Sequence, residues 1–167
     1  MPDNEESYGE LVDLDGRRAV RFVRRYAVSR AELWSAITER ERTARWAFPA
    51  EMEPRSGGAL RFDYGEAGSV DGTILVWDEP SVLEYEWGEA EMPWRIRFEL
   101  ASDGDEATLL TFDHFLPDPS NPDFAAGWHW HLDRLAQHLA GTEPPQVDSD
   151  EHFEALQGAY GTRFAGA

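Results

Sequence analysis

Residues 124–140 read FAAGWHWHLDRLAQHLA. Phe124, Trp128, Leu132, Leu135 and Leu139 recur there at intervals of four, four, three and four, which puts all five on one stripe of an α-helix. Pro117, Pro119 and Pro122 stand before the run and Gly141 follows it as a stop. A helix with one broad apolar stripe needs an apolar surface to lie on, and the preceding residues supply one. In residues 107–116, Leu110, Phe112 and His114 share a face; in 94–100, Trp94, Ile96, Phe98 and Leu100 alternate with Arg95, Arg97 and Glu99. In 82–87, Leu83, Tyr85 and Trp87 alternate with Glu84 and Glu86; in 59–64, Leu60, Phe62 and Tyr64 alternate with Arg61 and Asp63. A further strand-like run spans 70–77, and the turns between runs carry Asp78-Glu79-Pro80-Ser81 and Ser102-Asp103-Gly104-Asp105. Period-two alternation of this kind belongs to antiparallel strands with one wet face, and the long helix covers the other.

Toward the N-terminus, residues 19–28 (AVRFVRRYAV) read as a first strand. Ser29 then caps a short helix with Glu32 at its N3 position and Leu33, Trp34 and Ile37 as its apolar face, and 43–48 read as a second helical turn stopped by Pro49. The order predicts an α+β fold: a curved six-stranded antiparallel sheet wrapped around a long C-terminal helix, with short helices after strand one. The domain spans 17–141. Residues 1–16 read as a polar lead-in, and 142–167 as a tail with a short amphipathic helix carrying Phe153, Leu156 and Tyr160.

Charge narrows the function. The 167 residues carry a formal charge of −18, and all fifteen basic residues are arginine. Residues 17–61 hold eleven arginines against five acids, whereas 62–167 hold four arginines against 22 acids. The arginine-rich part is expected to pair with the acidic remainder, and the net charge argues against nucleic acid as a partner. Without cysteine there is no thiol nucleophile, cysteine metal site or disulfide scaffold, which fits a reducing cytoplasm. The acidic start MPDNEESYGE does not read as a signal peptide, and no run suggests a membrane span.

Six segments together resemble a known family. They are Arg24-Arg25-Tyr26 with AELWSAIT at 31–38, PRSGG at 54–58, the Asp71-Gly72 pair, TLLTFDHFL at 108–116, and GWHWHLDRLAQHL from Gly127. In this order and spacing the chain resembles the homologues of the activator of the heat-shock-protein-90 ATPase, within the START-like, birch-pollen-allergen-like (SRPBCC) superfamily. The resemblance implies the helix-grip fold and a deep apolar cavity between sheet and helix, used across the superfamily for hydrophobic molecules. Some relatives are polyketide aromatases or cyclases, and the namesake is a co-chaperone. No invariant catalytic motif comes with the family.

The aromatic set Phe62, Tyr64, Tyr85, Trp87, Trp94, Phe98, Phe112 and Trp128 reads either as solid core or as the wall of that cavity, with His114 and His131 as further candidate ligand contacts. His114 sits where the family often has a histidine in a Thr-x-x-His run, and reads as a hydrogen-bonded core histidine or a polar anchor. His129 and His131 are two apart, about 200° around a helix, so they cannot grip one ion, and neither a metal site nor a cofactor is expected. Glu84 and Glu86 read as solvated. Arg24 reads as a salt-bridge partner or as an inward cation meeting an acid or a ligand carboxylate. No catalytic residue stands out. The expected function is non-catalytic binding of a small hydrophobic or aromatic molecule. The alternatives are a cyclase or hydrolase using His114 and a cavity tyrosine, and a co-chaperone-like interaction module; a homodimer stays open.

Overall fold

The computed structural model describes residues 7–141 and 150–166. Its elements run β1 (Glu10–Leu14), β2 (Arg17–Tyr26), α1 (Arg30–Thr38), α2 (Arg40–Trp46), β3 (Ala50–Met52), β4 (Ala59–Asp63), β5 (Ser69–Asp78), β6 (Val82–Glu89), β7 (Met92–Ser102), β8 (Thr108–Leu116), α3 (Pro122–Leu139) and α4 (Asp150–Arg163). The strands form one antiparallel sheet in the order β1-β2-β8-β7-β6-β5-β4-β3. The helix-grip expectation holds with eight strands in place of six. Both additions are edge strands. β1 lies inside the expected polar lead-in and folds back onto β2 through Asp15 and Gly16, both at positive φ. Its half-buried ELVDL gives too weak an alternation to be read as a strand. β3 is only three residues long and pairs Ala50 with Phe62.

Local chemistry accounts for the helix starts. Ser29 accepts from the Glu32 amide at 3.2 Å, as the capping motif predicts. Asn121 accepts from the Asp123 amide at 2.9 Å, and Pro122 occupies the first turn of α3, where a missing N–H costs nothing.

The inner face of the sheet carries Phe22 opposite Phe112, Phe112 opposite Phe98, and Phe98 opposite Leu83, all essentially unexposed. α3 lies across them with Leu132 and Leu135 fully buried. Trp128 and Leu139 are half-buried against the core. Ala125, Ala126 and His129 are buried as well, because α4 covers a second side of α3. Leu156, Tyr160 and Phe164 make that contact. The Tyr160 hydroxyl accepts from the Gly9 amide and meets His129 Nδ1, each at 2.8 Å, tying the N-terminal segment, α3 and α4 together.

The outer face corrects one expectation. Glu84 is not solvated: it is 5% exposed, with Arg95 Nε at 2.9 Å and Arg97 Nη1 at 3.0 Å. Asp113, 1% exposed, is held in the same way by a two-pronged contact from Arg21 at 2.8 and 2.9 Å. Glu86 is half-buried. Most of the arginine-rich segment pairs internally, as in Arg25 with Asp103, Arg40 with Glu51 and Asp63, Arg42 with Glu32, and Arg61 with Asp71. Among the described residues no helix is long and apolar enough to cross a membrane.

Candidate functional site

Between the β4–β7 half of the sheet and the N-terminal half of α3 lies a cavity of about 390 Å3. Five parts of the chain build it. β4 and the residue after it supply Phe62 and Tyr64, β6 supplies Tyr85 and Trp87, and β7 supplies Trp94. α2 and its exit supply Thr43, Trp46, Ala47 and Phe48, and α3 supplies Asp123, Phe124, Gly127, Trp128 and His131. The two strand alternations send Phe62, Tyr85 and Trp87 inward, while 124, 127, 128 and 131 recur at i, i+3, i+4 and i+7 on one side of the helix.

The wall is a continuous set of rings. Trp87 meets Phe62 edge-on at 5.1 Å between centroids, stacks on Trp94 at 5.7 Å, and meets Trp128 edge-on at 6.4 Å. Trp94 meets Phe124 at 5.0 Å. At the mouth Phe48, 44% exposed, stands edge-on to Tyr64 at 4.8 Å. Gly72 of β5 permits the close seating of Trp87: a Cβ there would fall 2.7 Å from the Trp87 Cβ and 2.3 Å from the Glu86 carbonyl oxygen. At Gly127, by contrast, a Cβ would meet nothing within 4 Å, so the helix leaves space there.

Seven of the ten expected contacts line this space: Phe62, Tyr64, Tyr85, Trp87, Trp94, Trp128 and His131. Phe98, Phe112 and His114 do not reach it. Phe112 lies behind Trp128 at 4.8 Å and against Phe98 at 5.0 Å, so the two phenylalanines close the floor as packed core.

His114 has both nitrogens engaged. The Trp128 indole can only donate, so at 2.9 Å it fixes His114 Nδ1 as acceptor; the proton is then on Nε2, which donates to the Pro117 carbonyl at 2.6 Å. Burial pushes its pKa down to about 4. In the fold it ties Trp128 to the Pro117 backbone.

Within the ring wall, His131, Tyr85 and Tyr64 keep hydrogen-bonding capacity. His131 Nδ1 lies 3.0 Å from the Trp46 carbonyl, which requires the proton on Nδ1 and leaves the Nε2 lone pair free of any partner among the described residues. Burial pushes the imidazole pKa down, the Trp46 contact opposes this, and the charge of Arg134 adds to it. Tyr85 is 4% exposed and makes no hydrogen bond among the described residues; burial, and then the proximity of Tyr64, push its hydroxyl pKa up. Burial also raises the pKa of Tyr64, against a hydrogen bond from the Trp87 side chain. Elsewhere in the wall the Thr43 hydroxyl accepts from the Ala50 amide, the Trp46 indole donates to the Ala36 carbonyl, and Asp123 Oδ1 accepts from Gln157.

Thr43, Trp46, Ala47, Phe48, Asp123, Phe124 and Gly127 were not legible as wall. Phe124 carried a signal, since it shares the 124-127-128-131 stripe; residues 43–48 carry none, because a seven-residue helix has too little periodicity to show a face. Arg24 turns inward but away from the cavity, to Asp133 at 2.9 Å and the Ser7 carbonyl at 2.8 Å. His129 and His131 sit on different sides of α3, and among the described residues no three potential metal ligands cluster.

A curved antiparallel sheet gripping a long C-terminal helix over a ring-lined cavity defines the START-like helix-grip class. Within it, the chain belongs to the family described as activator of Hsp90 ATPase homolog 1-like protein, whose model matches residues 27–140. The fold is similar to that of CalU16 from Micromonospora echinospora, at 20% identity and a TM-score of 0.73 over 95% of this chain and 96% of that one. It is also similar to EF2215 from Enterococcus faecalis, a conserved protein of unknown function, at 22% identity and a TM-score of 0.74, covering 94% and 90% of the two chains. The protein encoded by BPP1335 of Bordetella parapertussis is 26% identical, with a TM-score of 0.72 and 97% and 94% covered. No curated protein matches the sequence.

Proposed function

We propose that this domain binds a small, flat, largely apolar molecule in the cavity under α3, without transforming it, as a cytoplasmic protein. The observation that carries this reading is the cavity itself: about 390 Å3, within the ~300–1,000 Å3 usual for small-molecule sites, walled by rings and offering only a few uncommitted polar groups. Phe62, Trp87, Trp94 and Trp128 would grip the faces and edges of the guest, and Tyr64, Tyr85 and His131 would orient it.

A catalytic reading rests on one specific feature, the unpaired Nε2 of a neutral His131 in the same cavity as two tyrosine hydroxyls. His131, not His114, would then be the acid-base residue.

Two measurements on freshly purified protein test the binding proposal. Native mass spectrometry should reveal any retained molecule, and the uncharged dye Nile red should bind with quenching of tryptophan fluorescence. Absence of dye binding together with an unliganded mass would remove the proposal.

A further inference from the structure

Resting on the binding proposal above, we infer that the site selects uncharged aromatic molecules bearing an O–H or N–H donor, which His131 Nε2 accepts, and that it rejects carboxylates.

His131 is held in one orientation. Its Nδ1–H is committed to the Trp46 carbonyl at 3.0 Å, and Trp46 is itself anchored by its indole to the Ala36 carbonyl at 2.9 Å, so the ring cannot turn over without losing a bond to a buried residue. The group it contributes to the cavity is therefore an acceptor. An apolar guest without a donor leaves that lone pair dry and unpaired, whereas a guest with a hydroxyl pairs it. The tyrosine hydroxyls of Tyr64 and Tyr85 supply the complementary donors, so the same hydroxyl oxygen or a carbonyl can be received.

Charge gives the second half. Among the described residues that line the cavity, neither arginine nor lysine occurs, and the single charged side chain is Asp123, an exposed carboxylate at the first turn of α3. Arg134, whose charge acts on His131, lies over the Trp130 ring at 4.7 Å and is not part of the wall. Its charge adds to burial in lowering the imidazole pKa. A carboxylate entering among the rings would lose its water, find no cation, and face Asp123 in a chain of formal charge −18. Long-chain acids and anionic aromatic dyes are excluded by the same reasoning.

The test compares three probes of one skeleton by tryptophan-fluorescence titration at pH 7: naphthalene, 2-naphthol, which is neutral there, and 2-naphthoate, which is ionised. The native protein should bind 2-naphthol about tenfold more tightly than naphthalene, the worth of one hydrogen bond, and 2-naphthoate weaker than 2-naphthol by on the order of a hundredfold. In His131→Phe the preference for 2-naphthol over naphthalene should fall below about threefold. His131→Leu removes the acceptor with a smaller side chain, and should show the same loss should His131→Phe fail to fold. Binding of 2-naphthoate as tight as that of 2-naphthol, or a naphthol preference that survives both variants, overturns the inference and leaves the binding proposal standing. Failure of all three probes to bind overturns both.

Discussion

Two substitutions that each add a large ring separate empty space from packed core. At Gly127 a new side chain starts where nothing lies within 4 Å of the Cβ, beside a cavity of about 390 Å3. Gly127→Phe removes a helix-interior glycine, a gain of about 0.5 kcal/mol in propensity. It also moves a ring into an apolar space, worth roughly a further 1 kcal/mol when about half of the usual 1.5–3 kcal/mol of full burial is realised. The variant should be as stable as the native protein or more stable by up to about 1.5 kcal/mol. Leu110 has the opposite surroundings: it is fully buried on β8, opposite Leu100 and Arg24, and does not line the cavity. Leu110→Trp forces overpacking and should cost about 1–3 kcal/mol or more. Urea denaturation reads both stabilities, and Nile red titration reads the site. Gly127→Phe should lose dye binding while keeping its stability; Leu110→Trp should keep dye binding in whatever fraction folds. The reasoning is refuted if Gly127→Phe is destabilised by more than about 2 kcal/mol, since the space would then be absent, or if it binds dye like the native protein.

The paired carboxylate on the outer face predicts that Glu84→Gln costs about 2–4 kcal/mol, because the charge is lost and an amide NH2 replaces one of the two oxygens that receive Arg95 and Arg97, whereas Glu86→Gln stays within about 0.5 kcal/mol; denaturant midpoints of the two variants check this. His114 makes stability fall with acid. Its folded pKa of about 4 lies below the ordinary 6.5, so the unfolded chain takes up the proton first. The contribution is complete above pH 6.5 and is lost as pH falls toward 4, by about 2 kcal/mol between pH 6.5 and 5. His131 and His138, both shifted downward, add in the same direction, and a His114→Gln variant should show a visibly shallower decline in urea denaturation. Tyr160→Phe leaves the Gly9 amide and His129 Nδ1 without their shared hydroxyl and should cost about 1–3 kcal/mol in the same assay.

The sheet, its order of strands in the chain and the side of each strand that faces inward were legible because alternation is a local property. Position along the inner face is not local. Strand parity places His114 and Tyr85 on the same side, but only the crossing of α3 decides that His114 falls in the sealed part behind Trp128 and Tyr85 in the open part. Alternation also sent Glu84 outward correctly, yet outward on a central strand meant a berth between two arginines of β7 and not water. β1 stayed hidden for a related reason: an edge strand buries one face only in part, so Leu11, Val12 and Leu14 show no clean period. The exchange of His114 for His131 as the polar point of the cavity follows from the stripe 124-127-128-131. Its glycine interrupts the apolar pattern at the place where the helix leaves room.

The most direct test of the central claim is a crystal structure of the protein grown with 6-bromo-2-naphthol, in which the bromine marks the guest by its anomalous signal. The account predicts one bromine peak inside the cavity bounded by Trp87, Trp128 and Phe62, with the naphthol oxygen within hydrogen-bond distance of His131 Nε2. A cavity filled by inward movement of Phe48 or Trp128, with bromine absent or found only on the surface, would contradict it.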